Sequence, residues 1–340
     1  MRVSTNSIYR DYQRNLNDSQ FKVNSENLRI SSGKKNHSIA ENTADVVEVD
    51  LFRNKISRNE AFLNNIGANL DKLQQTDTTL REISDKMQEI RDYVVDVSKT
   101  STGYNHFAIA QSIKGALEDI VTLANSDNNG AYLFSGNMTS PKDIKNANPT
   151  LNNLPFEIIQ GTATPTNPSG LSIVYKGNNE DINVNITDKS QERVNTKAEE
   201  IFGAGGTEAL QKIIDIYNVV AFDQSGAQRP ARTLLNAEEL AKLNTLQKDV
   251  ADKYDEMNIL AAVNGSKINR LESTRNFLLD ENLRLDEYRS IKEDTDIAES
   301  AMNLKREENI LQFALQVGSR INQLNLFQFL SYWLIIVLIF

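Results

Sequence analysis

The sequence contains no cysteine, which excludes disulfide bonds, thiolate metal sites and cysteine nucleophiles together. Histidine is nearly as scarce: only His37 and His106 are present, far apart and with no carboxylate or second histidine at ligand spacing. A phosphate-binding Gly-x-x-x-x-Gly-Lys loop, a Gly-x-Ser-x-Gly elbow and a His-Glu-x-x-His pair are all missing. We therefore predict no catalytic residue, no cofactor and no metal site, and we expect that the protein is not an enzyme.

The sequence also has no net positive charge, few aromatic side chains and no predicted secretory signal. The formal net charge is −9 at pH 7, and since a general nucleic-acid binder needs a basic surface, we expect no nucleic-acid partner. Aromatic residues make up only 7% of the 340 residues, which is lean for one compact globule. Residues 1–16 contain no apolar run, so no cleaved signal peptide is predicted. Without a catalytic or cofactor motif, no small-molecule substrate is expected.

Proline is confined to the middle of the chain, where all six prolines lie between residues 141 and 230. A proline costs about 3 kcal/mol inside a helix, so the two long proline-free flanks are predicted to be helical. In the first flank a stripe with seven-residue spacing predicts a helix over residues 7–30, and Gly33 is expected to end it. The stripe consists of Tyr9, Leu16, Val23 and Ile30.

Two more helices are predicted before the prolines, from apolar residues at three- and four-residue spacing. The longer helix covers residues 63–97, and its pattern breaks after Leu73, where Asp77 would occupy a core position. The shorter helix covers residues 109–123. Residues 127–130 then resemble part of a calcium loop but lack its downstream glutamate, so they are predicted to form a turn.

The second proline-free flank predicts one long helix over residues 240–285 and a last helix from Ile310 onward. Leu311 and Leu315 widen the apolar face of the last helix, and a face this wide contacts more than one partner helix. Between the flanks, residues 131–197 contain two short segments in which apolar and polar side chains alternate at strand period. These segments, 171–175 and 182–186, predict strands that are joined as a hairpin by a turn-rich segment, and residues 131–197 are predicted to form a small β-rich domain.

The two ends of the chain carry opposite charge. Residues 1–35 hold seven Lys or Arg against three Asp or Glu, whereas residues 280–308 hold five against ten. Exposed ion pairs add little stability, so this complementarity favours the selection of one register. We predict that the two ends pair with each other and with neighbouring subunits. The predicted interface consists of Leu16, Val23, Leu28 and Ile30 against Ile310, Ala314, Val317, Ile321 and Leu324.

Several short motifs at both ends resemble those of bacterial flagellins and their relatives. The N-terminal motifs are residues 27–33 (NLRISSG), 40–45 (AENTAD) and 56–65 (ISRNEAFLNN). The C-terminal motifs are residues 263–265 (VNG), 268–272 (INRLE) and 294–299 (DTDIAE), followed by Leu304, Leu311, Gln312 and Ala314. Together the resemblance covers roughly residues 1–130 and 235–330.

Within this family, residues 1–6 (MRVSTN), 130–136 (GAYLFSG) and 324–327 (LNLF) are similar to the hook–filament junction branch, the third hook-associated protein. The resemblance implies a structural, secreted and extracellular flagellar component required for filament assembly and motility. Its implied partners are further copies in a ring or layer, a hook-side junction protein, flagellin, the flagellar type III export apparatus and an export chaperone. The alternatives are a filament flagellin and a membrane-associated coiled-coil protein.

The expected fold is mainly α with inserted β, an elongated helical coiled-coil rod formed by the N- and C-terminal segments with a small β-rich outer domain. The predicted division is 1–45 and 290–330 as helical assembly segments, 46–130 and 201–289 as the two halves of a helical shaft, 131–200 as the outer domain and 331–340 as an atypical apolar tail. The tail belongs to the run FQFLSYWLIIVLIF of residues 327–340, which is shorter than the roughly 20 residues of a membrane span. A natural extension, a membrane-prone end and an altered reading frame all remain open explanations.

Overall fold

A computed structural model describes residues 2–99, 105–144, 153–230 and 233–339, with the side chains of residues 2–6, 8 and 321–339 left out. The helices are α1 (Arg2–Ser32), α2 (Thr43–Ser98), α3 (His106–Ala124), α4 (Ala198–Phe202), α5 (Glu208–Ala221), α6 (Ala237–Glu293) and α7 (Ile297–Ile339). The strands are β1 (Asp127–Asn128), β2 (Ala131–Tyr132), β3 (Phe156–Gln160), β4 (Leu171–Tyr175), β5 (Asn183–Thr187) and β6 (Ser190–Arg193). The fold is mainly α with inserted β, as the sequence predicts.

The long helices agree with the predicted ones and extend beyond them. Gly33 ends α1 as expected: its φ is +72°, and its N–H donates to the carbonyl of Arg29 at 2.8 Å. Helix α2 begins well before the predicted stripe because Asn42 accepts the N–H of Asp45 at 3.3 Å and caps the first turn. Helix α6 continues through Gly265 without a break.

Contacts divide the chain into two compact units. One unit consists of Met1–Arg58 and Asp280–Phe340, called here the end unit, and the other of Asn59–Leu279, called the middle unit. The boundaries fall inside α2 and α6, so each of these helices contributes to both units. The finer division into six segments stays a prediction.

The core of the middle unit is formed by α3 and α5 with the apolar faces of α2 and α6 and the strands β3 and β4. Its largest buried side chains include Phe134, Phe156 and Phe202. The ring of Phe156 lies 4.8 Å from that of Tyr175 and 5.4 Å from that of Phe202, measured between centroids. A smaller cluster joins α2, α6 and β5 through Ile66, Leu70, Leu73, Ile186, Leu271 and Leu278.

The predicted pairing of the two central strands is wrong, although both strands exist. Strand β4 pairs with β3, and β5 pairs with β6, each in antiparallel register. The segment between β4 and β5 binds another loop instead of closing a hairpin. The hydroxyl of Tyr175 donates to the carbonyls of Phe134 and Asn178 at 3.0 and 2.9 Å, and the N–H of Asn178 donates to Ser135 at 3.2 Å.

The predicted turn at residues 127–130 is confirmed as the tip of the β1–β2 hairpin. Asn129 and Gly130 both have positive φ, at 54° and 81°, which is the backbone of a two-residue hairpin loop. The N–H of Gly130 donates to the carboxylate of Asp127 at 2.7 Å. Asp127 therefore stabilises the turn.

Candidate assembly surface

The two terminal helices α1 and α7 pack against each other in the end unit. At one end of the pair, Lys34 and Asp294 form an antiparallel β-bridge just outside the two helices. Farther along, the phenol of Tyr12 lies against Gly318, where a side chain on Gly318 would collide with it. The helices therefore run antiparallel.

The contact face of each helix follows three- and four-residue spacing, the pattern of a coiled-coil seam. The seam positions of α1 are Tyr12, Leu16, Ser19, Val23, Glu26 and Ile30, and those of α7 are Ser300, Leu304, Glu307, Leu311, Ala314 and Gly318. Ser19, Glu26, Ser300 and Glu307 are the buried side-chain positions among them. The most buried parts of this seam are thus polar or small, which gives little hydrophobic stabilisation.

The predicted interface residues divide between the seam and a second surface. Leu16, Val23, Ile30 and Ala314 are half-buried on the seam. In contrast, Leu28, Ile310 and Val317 are 53%, 43% and 51% exposed. Ile321 and Leu324 belong to α7, but their side chains lie outside the described part of the chain. The assembly role of all nine residues stays a prediction.

Sequence reasoning missed Tyr12, Gly318 and the buried polar positions of the seam. Ser19 and Glu26 continue the spacing of Leu16 and Val23. They are hydrophilic, so a stripe defined by apolar residues does not include them. On α7 the predicted stripe at Ile310 and Val317 was one position away from the contact face. The contact faces of α1 and α7 could have been found from the three- and four-residue spacing of all residues, polar ones included.

Each terminal helix also carries an exposed apolar stripe on its side away from the seam, and the two stripes are here together called the outer surface. On α1 it contains Phe21 and Leu28, seven residues apart, and Phe21 is 70% exposed. On α7 its exposed members are Met302, Ile310, Phe313 and Val317. Exposed apolar side chains that recur along a helix mark an interaction site more often than isolated ones do. The outer surface is therefore the candidate functional site.

The described residues form neither a membrane-spanning helix nor a metal-binding cluster. Among the helices whose side chains are described, none is long and apolar enough to cross a membrane. Residues 327–340 lie outside those side chains, so their membrane tendency stays a prediction. In the described residues, no three His, Asp or Glu side chains lie close enough together to hold a metal ion.

Comparison with known proteins identifies the family. The N-terminal helical region of bacterial flagellin matches residues 3–139, and the C-terminal helical region matches residues 238–330. The two matches together cover more than half of the chain, in the order in which the regions occur in flagellin. The chain belongs to the bacterial flagellin family. A comparison with curated protein sequences finds no match.

Solved structures show the same fold at low sequence identity. A protein described as flagellar hook-associated, from Vibrio parahaemolyticus, has a TM-score of 0.58 and 17% identity, with 74% of this chain and 99% of that chain covered. FlgL of Xanthomonas campestris has a TM-score of 0.52 and 15% identity, covering 70% and 98%. Flagellar hook-associated protein 3 of Legionella pneumophila has a TM-score of 0.52 and 13% identity, covering 72% and 99%. At these identities the likeness concerns the fold.

Proposed function

We propose that this chain is a structural subunit of the bacterial flagellum, a hook–filament junction protein that joins the hook-associated layer to the flagellin filament. The outer surface carries this proposal, because a flagellin-family chain with exposed apolar stripes on both terminal helices is suited to contact with neighbours. The fold shared with hook-associated proteins favours the junction role. The protein acts outside the cell and is not an enzyme.

The proposed neighbours are further copies of the chain in a ring or layer, the hook-side junction protein and the first flagellin subunits. Delivery by the flagellar type III apparatus, with an export chaperone, would place the chain at the growing tip without a cleaved signal peptide. Neither nucleic acid nor a small-molecule substrate takes part. In this arrangement the outer surface contacts neighbours, while the seam holds the two ends of one chain together.

A deletion strain tests the junction role directly. It is expected to build hooks, to lose swimming motility and to shed unpolymerised flagellin into the medium, because nothing seeds the filament. Re-expression of the intact chain should restore filaments, and immuno-electron microscopy should find the protein at the hook tip. Normal filaments in the deletion strain would overturn the proposal.

The second candidate function is a filament flagellin, which is favoured by the match of both ends to flagellin regions. If the protein is a flagellin, the purified chain should extend into long filaments when it is seeded with filament fragments. A junction protein should instead remain monomeric or form short closed assemblies under the same conditions. Labelling along the whole filament, rather than at its base, would favour the flagellin function.

A further inference from the structure

Polar side chains separate the main core of the middle unit from its smaller cluster. On α2 the smaller cluster ends at Leu73, and the main core begins at Leu80. The buried residues between these two leucines are Thr76 and Thr79, which are 2% and 1% exposed. The apolar face of α2 is therefore interrupted over two helical turns, although the helix itself continues.

Helix α6 carries the same interruption. Its buried residue between Met257 of the main core and Leu271 of the smaller cluster is Asn264. Nδ2 of Asn264 donates to the carbonyl of Leu73 at 2.9 Å, which brings the interruptions of α2 and α6 to the same level. Oδ1 of Asn264 is buried and has no hydrogen-bond partner among the described residues. We call the two buried threonines of α2 and Asn264 the polar layer.

Helix α2 is weakened where it crosses the polar layer. The hydroxyls of Thr76, Thr78 and Thr79 donate to carbonyls four residues back, a contact that slightly destabilises helices and often bends them. The carbonyl of Leu73 also accepts the side chain of Asn264, so a group from outside competes with the hydrogen-bond ladder of α2 at this point.

Helix α6 is weakened at the same level by its backbone composition. Asn264 is followed by Gly265 and Ser266, and a Gly/Ser pair is one of the usual places at which helices kink. Glycine is also among the least favourable residues of a helix interior. A Cβ on Gly265 would meet no atom within 4 Å, so packing does not require glycine there. The effect of Gly265 is therefore to loosen α6.

We propose that the polar layer, together with Gly265 and Ser266, is a hinge inside the middle unit at which α2 and α6 bend together. The main core and the smaller cluster are separate apolar clusters, so each keeps its packing while the direction of one changes relative to the other. The hinge belongs to a single chain and lies within one compact unit. It is therefore independent of the proposed function and of the neighbours that the terminal helices contact.

Hydrogen exchange of the full-length chain tests the hinge. Amides of residues 77–80 and 265–268 should exchange about tenfold faster than amides on either side of the polar layer, because the hinge opens without unfolding of the two clusters. The reference ranges on α2 are 66–73 and 83–90. A steady increase in rate from the main core toward residue 59 would show fraying from the end of the unit and overturn the proposal.

A glycine substitution stiffens the hinge without a collision. Gly265→Ala should slow exchange at residues 77–80 and 265–268 about fivefold, and the effect on α2 would show that both helices bend together. The matched control is Gly115→Ala in the interior of α3, where a Cβ also meets no atom within 4 Å. The control should leave these amides unchanged. Equal slowing by both variants, which indicates unfolding of the whole unit, or no slowing by Gly265→Ala would overturn the proposal.

Spin labels measure the motion itself, and the chain has no cysteine that would take up a label elsewhere. Ser112→Cys on α3 and Ser273→Cys on α6 place labels at exposed positions on the two sides of the polar layer. Asn264→Leu makes the layer apolar and should narrow the distance distribution between the labels about twofold. Asn258→Leu, the same change at an exposed position of α6, should not narrow it. Equally narrow distributions with and without Asn264→Leu would show a rigid layer and overturn the proposal.

Discussion

The middle unit and the end unit are both built mainly from long helices, yet they bury different kinds of residue. Among the described side chains of the end unit, Val49 and Leu285 are the buried apolar ones, whereas the other buried apolar side chains lie in the middle unit. The end unit buries serine and glutamate on its α1–α7 seam and leaves Phe21 and Leu28 exposed. A long amphipathic helix can therefore contribute few apolar side chains to the hydrophobic core of its own chain.

The largest expected difference between the two units is in the response to removal of a phenylalanine ring. Phe156→Ala should destabilise the middle unit by about 3–5 kcal/mol, because the fully buried ring contacts Tyr175 and Phe202. Phe21→Ala should change the free chain by no more than about 0.5 kcal/mol. Urea unfolding followed by circular dichroism measures both. Similar losses in the two variants would show that the units do not differ in this way.

A smaller effect is expected on the seam itself. Gly318→Val should weaken the pairing of α1 and α7 by about 1–3 kcal/mol, because the new side chain collides with the phenol of Tyr12. Gln316→Val, at an exposed position of the same helix, is the matched control. Hydrogen exchange in residues 12–26 reports the pairing. Combining Gly318→Val with Tyr12→Ala should restore part of the loss, and strict additivity would contradict the contact.

The third difference concerns pH. Burial, with a smaller contribution from the cation of Arg229, lowers the pKa of His106 below its ordinary value of 6.5, and Glu239 only partly offsets this. Since the folded state favours neutral His106, its stabilisation is complete above about pH 6.5 and is lost as the pH falls through the folded-state pKa. The middle unit should therefore lose up to about 1.4 kcal/mol per pH unit in that window.

His106→Gln provides the test of this pH dependence. The variant should flatten the dependence of middle-unit stability on pH below about pH 6.5, as measured by urea unfolding at each pH. Exchange of the α7 amides, in the other unit, serves as the internal reference. An unchanged slope in the variant would mean that His106 is not the group that titrates.

The smallest stability effect is expected on the outer surface. Leu28→Gln and Ile310→Gln should each change the stability of the free chain by less than about 0.5 kcal/mol, because both side chains are already exposed. Under the proposed function, each variant should nevertheless fail to support filament growth in the deletion strain. Gln312→Asn, an exposed polar position of α7, is the control. Normal filaments with both variants would remove the outer surface from assembly.

The apolar spacing of the sequence predicts the long helices well, because burial on one face repeats with the helical period. It predicts the buried polar positions poorly. The apolar pattern of α2 breaks where regular spacing would place Asp77 in the core, and the buried residues there are Thr76 and Thr79. Their hydroxyls donate to the carbonyls of Lys72 and Gln75 at 2.9 and 3.0 Å, so they need no partner outside the helix.

Strand pairing and the candidate site were predicted only in part, since both depend on contacts distant in sequence. The partner of β4 is β3, and the binding of Tyr175 to Phe134 could not be read from local alternation. On α1, Leu16, Val23 and Ile30 lie half-buried on the seam, and their role in assembly stays a prediction. On α7 the seam and the exposed stripe differ by one residue along the chain. Because the apolar face of α7 is wide, the sequence alone does not show which of the two contacts α1.

The polar composition of the α1–α7 seam has a thermodynamic consequence. Separation of the described seam, residues 12–30 from residues 300–318, exposes little apolar surface to water, so its heat-capacity change should be small. The middle unit, with its large apolar core, should follow the usual strongly curved dependence of free energy on temperature. The free energy that separates the open and closed forms of the terminal pair should instead change almost linearly with temperature, with no maximum at an intermediate temperature.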